Sequence, residues 1–199
     1  MKPAAPVDPA APVDPAAPAG PATAPPESSA LVDPAAATPG HGASGAATRP
    51  VIALGTVEET RAFGRRLATL LRTGDLVLLS GPLGAGKTAL AQGIGAGLRV
   101  PGEVTSPTFV IARVHRGGRV PFVHVDAYRL GTTIEVDDLD LDASVEDSVT
   151  VVEWGGGLVE QLADAYLEVR IERRDDETRE VTLVPHHGDW PARVGALTA

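Results

Sequence analysis

The sequence contains the octapeptide Gly81-Pro82-Leu83-Gly84-Ala85-Gly86-Lys87-Thr88. It matches the pattern G-x-x-x-x-G-K-[ST] of phosphate-binding loops at every required position. The segment before it, Asp75–Ser80, is typical of a buried parallel strand, and Thr88–Ile94 after it begins a helix. A strand, a glycine-rich loop and a helix in this order form the P-loop unit. The stretch therefore predicts an α/β domain that binds a nucleotide.

The loop carries the groups that bind the phosphates of a nucleotide. Its glycines let backbone N–H groups turn inward, and the helix that follows adds the positive end of its dipole. Lys87 would neutralise the β- and γ-phosphates, and the Thr88 hydroxyl would ligate Mg²⁺. The expected nucleotide contacts in the loop are Leu83, Gly84, Ala85, Gly86, Lys87 and Thr88.

Two carboxylates are candidates for the chemistry that a P-loop NTPase performs. Such an enzyme needs an acidic residue at the end of a neighbouring apolar strand, where it holds magnesium or orients the attacking water. Asp126 ends the run 122–126, and Glu153 ends the run 149–153. Either residue alone also fits a solvated strand end. The presence of both in one small domain favours a catalytic role for at least one of them.

Two further positions are candidate contacts, and a third marks the start of a helix. Thr108 closes the segment 105–108 after the P-loop helix, where NTPases place residues that respond to the γ-phosphate, although the segment also fits a simple entry into a strand. Trp154 directly follows Glu153 and fits packing over the nucleotide, contact with a partner or a place in the core. Thr56 opens a helix, since Glu59 completes a capping-box pattern.

Composition excludes several classes of protein. The 199 residues include no cysteine, which excludes a disulfide framework, a thiol nucleophile and a zinc–thiolate site. No apolar run reaches membrane-spanning length, and the N-terminus lacks the apolar region of a secretory signal. A formal charge of −9 argues against a stand-alone tRNA or DNA binder. These features fit a cytoplasmic protein that meets nucleic acid only through a partner.

The chain divides into three regions. Residues 1–50 are rich in proline and alanine, repeat the unit Ala-Pro-Val-Asp-Pro-Ala, and are expected to be disordered with polyproline character. Residues 51–185 are the expected ATPase domain, long enough to bury one core. Residues 186–199 give no clear signal and are assigned as a C-terminal tail.

The order of elements predicts a three-layer domain with a mixed parallel and antiparallel sheet. The strand-like segments 108–114 and 120–126 flank a hairpin turn at Arg116–Arg119. Strands are also expected at 51–54, 149–153, 167–172 and 180–184. A helix begins at Thr56 with Gly74 as its stop, and a short one is expected over 132–139. The acidic run 135–147 fits a solvated face or a surface for a basic partner.

Taken together, four motifs resemble one known family. They are Gly81–Thr88, Thr105-Ser106-Pro107-Thr108-Phe109, His124-Val125-Asp126-Ala127-Tyr128-Arg129-Leu130 and Val152-Glu153-Trp154. Their order and spacing are similar to those of the bacterial ATPase of tRNA threonylcarbamoyladenosine biosynthesis, the TsaE (YjeE) family. The resemblance runs from about Val51 to Val184. It departs from the family at Pro82, where an acid is usual, and at 155–157, where proline commonly follows the tryptophan.

The resemblance implies a function. Members of this family bind ATP and Mg²⁺, hydrolyse ATP weakly alone, and act with the transferase TsaD and its relative TsaB on adenosine 37 of tRNA. By this analogy Lys87 binds phosphate, Thr88 and Glu153 hold Mg²⁺, and Asp126 acts beside the γ-phosphate. Trp154 stays near the site or the partner interface, and the helix start at Thr56 and Thr60 approaches the adenine. The implied partners are TsaD and TsaB, and the protein would contact tRNA only through them. It is not expected to bind a membrane or DNA.

Two other functions use the same loop. A small-molecule P-loop kinase needs a lid whose arginines clamp the transferred phosphate. Here Arg113, Arg116 and Arg119 belong to a hairpin, and an acidic run stands where a basic lid is expected. A nucleotide-gated binding module with negligible turnover also fits, because the two carboxylates do not decide whether binding or hydrolysis is the working step.

Overall fold

A computed structural model describes residues 51–108, 110–129, 145–157 and 159–198 of the chain. Within these ranges the chain forms one seven-stranded sheet with the strand order β1-β7-β6-β2-β5-β4-β3. The strands are β1 (Val51–Leu54), β2 (Leu76–Ser80), β3 (Ala112–His115), β4 (Phe122–Asp126), β5 (Val149–Glu153), β6 (Tyr166–Arg173) and β7 (Arg179–His186). The helices are α1 (Val57–Leu67), α2 (Lys87–Gly97), α3 (Val159–Leu162) and α4 (Trp190–Thr198), with a 3₁₀ turn at Ala127–Arg129.

The sheet is mixed, which confirms the fold class predicted from the sequence. Its centre is parallel, since β2 pairs with β5 and β6, and β5 pairs with β4. Its edges are antiparallel, with β7 between β6 and β1 on one side and β3 against β4 on the other. In parallel strands the carboxyl ends meet at one edge, and the register places Asp126 opposite Glu153 there.

Two apolar clusters cover the two faces of the sheet and make three layers. On β2, Val77 and Leu79 belong to the cluster that includes α1, α2 and α4. Leu76 and Leu78 belong to the second cluster, which includes α3. Successive residues of a strand point to opposite faces of the sheet. Because both faces are covered by apolar clusters, the sequence of β2 is apolar at successive positions.

Helix α1 begins with the predicted cap. The Thr56 Oγ1 accepts a hydrogen bond from the Glu59 N–H at 3.1 Å, and Glu59 Oε2 accepts one from the Gly55 N–H at 2.6 Å. The return bond thus reaches the residue before the cap. The helix ends at Leu67, well before Gly74, because the chain turns there through bonds such as Leu70 N–H to the Leu67 carbonyl. The expectation that Gly74 stops this helix is therefore wrong.

Glycines let α1 and α2 approach closely. A Cβ added at Gly64 would lie 2.5 Å from the Leu90 carbonyl oxygen and 2.9 Å from the Gly93 Cα. A Cβ added at Gly93 would in turn clash with the Arg61 carbonyl. The contact therefore places backbone against backbone, and it holds the P-loop helix against α1.

The strand expected at 108–114 begins four residues later than predicted. The N–H groups of Val110 and Ile111 both donate to the Pro107 carbonyl, at 2.8 and 2.7 Å, and Ile111 has a φ of +67°. These bonds form a turn, so β3 starts at Ala112. The hairpin around residues 116–119 is confirmed, because β3 and β4 pair antiparallel.

The core extends past residue 185, where the sequence suggested a tail. Strand β7 continues to His186, and α4 follows. Trp190 and Val194 on α4 are buried in the larger core cluster, and Leu197 packs against it. Arg193 also donates to the Asp75 carboxylate, with its Nη1 at 2.9 Å from Oδ1. Residues 186–198 are therefore part of the folded domain.

Several expectations lie outside the described residues. They are the disordered character of residues 1–50, the helix at 132–139, the acidic run up to residue 144, and positions 109 and 130 of the motifs. Within the part of the chain that the structure describes, no helix has both the length and the apolar character needed to cross a membrane.

Candidate nucleotide-binding site

The glycine-rich loop joins β2 to α2 and has the backbone shape that phosphate binding requires. Gly81, Gly84 and Gly86 have φ values of +140°, +77° and +111°, in the left-handed range that glycine adopts without strain. A side chain at Gly81 would also clash with the Ile171 carbonyl. Gly86 is the N-cap of α2, so no side chain at the cap accepts hydrogen bonds from the first N–H groups of the helix. The first N–H groups of the helix thus face the loop.

Lys87 is buried at the base of the site. Its Nζ donates to the carbonyls of Gly81 at 2.8 Å and Pro82 at 2.9 Å, and it lies 3.7 Å from the centre of the Trp154 ring. Burial lowers the pKa of Lys87 from its ordinary value, while the carboxylates of Glu153 and Asp126 act in the opposite direction. The ammonium therefore sits where a further negative charge would stabilise it.

Thr88, Glu153 and His124 form a hydrogen-bonded group. The Thr88 hydroxyl lies 3.0 Å from Glu153 Oε1 and 3.2 Å from Oε2. His124 Nε2 lies 2.8 Å from the same Oε1, and both side chains are buried. His124 precedes Asp126 by two residues on β4, and its register partner on β5 is Val151. The imidazole thus limits the orientations that the Glu153 carboxylate can take.

Asp126 is held by the loop that follows α2. Its Oδ2 accepts a hydrogen bond from the Thr108 hydroxyl at 2.6 Å, and its Oδ1 accepts one from the Tyr128 N–H at 3.1 Å. Ser106 Oγ lies 2.6 Å from the Thr108 hydroxyl. The segment 105–108 and the catalytic candidate Asp126 are therefore linked directly through side chains.

Trp154 lies in the wall of the cavity and not in either core cluster. Its φ is +62°, an uncommon value for a residue with a side chain. Its ring meets the Tyr128 ring edge-on, with 5.2 Å between the ring centres. Tyr128 is 59% exposed, so this aromatic pair extends from the buried Lys87 to the surface.

These groups surround one cavity of about 490 Å³. It is lined by Val57, Leu83, Gly84, Gly86, Lys87, Thr88, Ala89, Ser106, Thr108, Asp126, Tyr128, Glu153, Trp154 and Arg179. A second cavity of about 500 Å³ lies near Tyr166 and His186. None of the predicted site residues lines it, so the first cavity is the candidate site.

The structure brings most of the predicted site residues together. Thr56 and Ala85 are not among the residues that line the cavity. The Thr56 hydroxyl caps α1, and Ala85 is buried beneath the loop. Sequence reasoning missed His124 and Arg179. His124 could have been found from the sequence, because it lies two residues before Asp126 and residues two apart on a strand share a face. The sequence around Arg179 contains no comparable signal.

The donors fit a hard divalent cation. Thr88, Glu153 and Asp126 offer only oxygen atoms, which Mg²⁺ prefers, and Mg²⁺ is commonly held by one or two carboxylates together with substrate phosphates. Among the described residues, no group of three or more His, Cys, Asp or Glu side chains is arranged to hold a metal ion.

Comparisons with known proteins identify the family of the chain. A family model described as "Threonylcarbamoyl adenosine biosynthesis protein TsaE" matches residues 54–181. The tRNA threonylcarbamoyladenosine biosynthesis protein TsaE of Streptomyces coelicolor is 62% identical over 137 residues, which cover 65% of this chain and 93% of the relative. The protein of the same description from Mycobacterium tuberculosis is 53% identical over 126 residues, which cover 59% and 75%.

A solved structure supports the same relationship. The crystal structure of Bacillus subtilis YdiB matches with a TM-score of 0.64 and 30% sequence identity, covering 75% of this chain and 94% of that chain.

Proposed function

Since the chain belongs to the threonylcarbamoyl adenosine biosynthesis protein TsaE family, which confirms the resemblance seen in the sequence, we propose that it binds and hydrolyses ATP to cycle the TsaD–TsaB transferase complex in tRNA N6-threonylcarbamoyladenosine modification. The family places the chain in this biosynthesis. The nucleotide chemistry and the partners are the proposal. The observation that carries it is the meeting of a P-loop threonine, Thr88, with the buried carboxylate of Glu153, one strand away from Asp126.

Each residue has a distinct part in the proposed hydrolysis. The inward N–H groups of the loop bind the β-phosphate, and Lys87 neutralises the β- and γ-phosphates. Because Lys87 donates to the carbonyls of Gly81 and Pro82, phosphate binding involves an exchange of these partners. Thr88 and Glu153 would hold Mg²⁺, which supplies positive charge to the phosphate oxygens as the bond breaks.

Asp126 is the residue that would orient the attacking water. It lies opposite Glu153 in the register, and its Oδ2 is already fixed by Thr108. A water bound to the other lone pairs of this carboxylate would be positioned for attack on the γ-phosphate. Thr108 and Ser106 then report the presence of that phosphate to the loop after α2.

The mouth of the site supports action through a protein partner. Leu83 in the P-loop is 88% exposed, and Tyr128, which lines the same cavity, is 59% exposed. Large apolar side chains beside a nucleotide are suited to protein contact. A partner that covers this mouth would bind the ATP-bound and ADP-bound states with different affinities. This difference would couple hydrolysis to release of the partner.

The test is the rate of ATP hydrolysis with and without the transferase pair. We expect slow release of phosphate by the protein alone, faster release with TsaD and TsaB present, and neither with Lys87→Ala. Hydrolysis that the pair leaves unchanged would contradict the coupling. Transfer of phosphate to a small-molecule acceptor would instead favour a kinase.

A further inference from the structure

The sheet divides the nucleotide cavity into two sides. Strand β2, which carries the P-loop, has β5 and β4 on one side and β6 and β7 on the other. The carboxylates Glu153 and Asp126 end β5 and β4. The opposite side has a basic residue, Arg179, which begins β7 and lines the same cavity. The cavity thus has acidic groups at one end and a guanidinium at the other.

Arg179 lies directly against the P-loop. A Cβ added at Gly86 would be 3.2 Å from Arg179 Nε and 3.4 Å from its Cδ, so the guanidinium occupies the space that a side chain at position 86 would need. Gly86 is the N-cap of α2, where N–H groups and the helix dipole already favour an anion. An anion bound at this loop therefore lies within the field of Arg179.

The hydrogen bonds of Arg179 leave one buried donor unused. Its Nη1 donates to the Glu177 carbonyl at 3.1 Å. Its Nε is buried and, among the residues that the structure describes, has no hydrogen-bond partner. A guanidinium with an unused donor beside this loop is suited to an anionic ligand.

A second arginine shows what is particular to Arg179. Arg174 follows β6 in the same hairpin and carries the same charge. Its Nη2 is ion-paired with Glu180, and 54% of its side chain is exposed. Arg174 is not among the residues that line the cavity. The pair therefore provides a site residue and its natural control.

We propose that Arg179 is a nucleotide-binding residue whose guanidinium donates to the α-phosphate of the bound nucleotide. This inference rests on the proposed function, because it requires a nucleotide in the loop. The assignment to the α-phosphate follows from the two sides of the cavity. Thr88, Glu153 and Asp126 mark the end of the cavity that would hold the metal and the γ-phosphate. Arg179 lies on the other side of the P-loop, so it is assigned to the end nearer the nucleoside.

The test is calorimetric titration of the full chain with ADP and with ATP in the presence of Mg²⁺. Arg179→Ala is expected to weaken both nucleotides by the same factor, about 10- to 100-fold, since a charge-assisted hydrogen bond to the α-phosphate is lost in both. Arg179→Lys keeps the charge without the guanidinium and should fall between this variant and the wild type. Arg174→Ala should stay within about threefold of the wild type.

Other outcomes distinguish the failures. Equal affinity of the wild type and Arg179→Ala for ADP would overturn this inference alone. Weaker binding of ATP but not of ADP would overturn the α-phosphate assignment, because it would place the guanidinium at the γ-phosphate. Absence of nucleotide binding by the wild type would overturn the proposed function, and the role of Arg179 with it. Circular dichroism and thermal unfolding establish that each variant is folded.

Discussion

The hydroxyl of Thr88 lies 3.0 Å from one carboxylate oxygen of Glu153 and 3.2 Å from the other. The two residues are 65 positions apart in the chain and come from the first turn of α2 and the end of β5. Parallel pairing of β2 with β5 brings them together, with Leu79 opposite Glu153 in the register. A hydroxyl and a carboxylate at this distance suit one small divalent cation.

The first prediction concerns this pair and the dependence of nucleotide binding on Mg²⁺. Glu153→Gln keeps the shape of the side chain but removes its charge, so we expect Mg²⁺ to improve the affinity for ATP much less than in the wild type. The measurement is titration with ATP at high and at very low free Mg²⁺. Thr88→Ser is the matched control, because it keeps the hydroxyl. An undiminished Mg²⁺ effect in Glu153→Gln would contradict the assignment.

The second prediction separates hydrolysis from binding at Asp126. Asp126→Asn keeps hydrogen-bonding contacts to Thr108 and the Tyr128 N–H but cannot orient a water as a carboxylate does. We expect kcat to fall by about 10²- to 10⁴-fold while the Kd for ATP changes by only a few fold. The two quantities are measured by phosphate release and by titration. An unchanged kcat would assign the catalytic carboxylate elsewhere.

The third prediction concerns the contact between α1 and α2. Gly64→Ala would place a methyl group 2.5 Å from the Leu90 carbonyl oxygen, and backbone on both sides leaves it no room. We expect a loss of at least about 1–3 kcal/mol in the free energy of unfolding, measured with urea.

Gly195 in α4 provides the control for that substitution. A Cβ added there meets no atom within 4 Å. Gly195→Ala should therefore leave stability unchanged or raise it by up to about 1 kcal/mol through helix propensity. Equal effects of the two substitutions would mean that the helices do not meet at Gly64.

The fourth prediction concerns the pH dependence of stability at Glu168. Burial raises the pKa of this carboxyl, but hydrogen bonds from Arg170, Ser80 and His186 outweigh it, so the pKa lies below its ordinary value of 4.5. A lowered pKa in the folded state gives stability that is complete above about pH 4.5 and is lost as the pH falls through the folded-state pKa.

Glu168→Gln tests this sign. At pH 5 the variant should be less stable than the wild type by about 1–3 kcal/mol, since charged hydrogen bonds to Arg170 and Ser80 are weakened. At pH 3 the difference should be smaller, because the unfolded wild-type chain then binds a proton at this carboxyl, which favours unfolding. The measurement is urea unfolding at both values. A difference that does not change with pH would contradict the lowered pKa.

The parts of the site that were predictable are those encoded within short segments. The P-loop has a fixed pattern of residue types, since glycine backbone freedom, the lysine and the hydroxyl each have a required place. Asp126 and Glu153 could be found because each ends an apolar run, and carboxyl ends of parallel strands share one edge of the sheet. The fold class followed from the same order of strands and helices.

The parts that were missed depend on contacts between distant segments. Arg179 reaches the cavity only because β7 lies beside β6, which pairs with β2. No local pattern states that order. The start of β3 was misplaced because the Pro107 carbonyl captures two N–H groups and forms a turn within an apolar run. Helix α4 did have a signal, since Trp190, Val194 and Leu197 follow a helical spacing.

The most direct test of the proposed function is tRNA modification under multiple-turnover conditions. A reconstituted system would contain the TsaD–TsaB pair, tRNA and threonylcarbamoyl-adenylate, with either the wild-type protein or Lys87→Ala. The account predicts that modified tRNA accumulates beyond one equivalent of the transferase only with ATP and the wild-type protein. Accumulation that is the same with Lys87→Ala, or with no added protein, would contradict it.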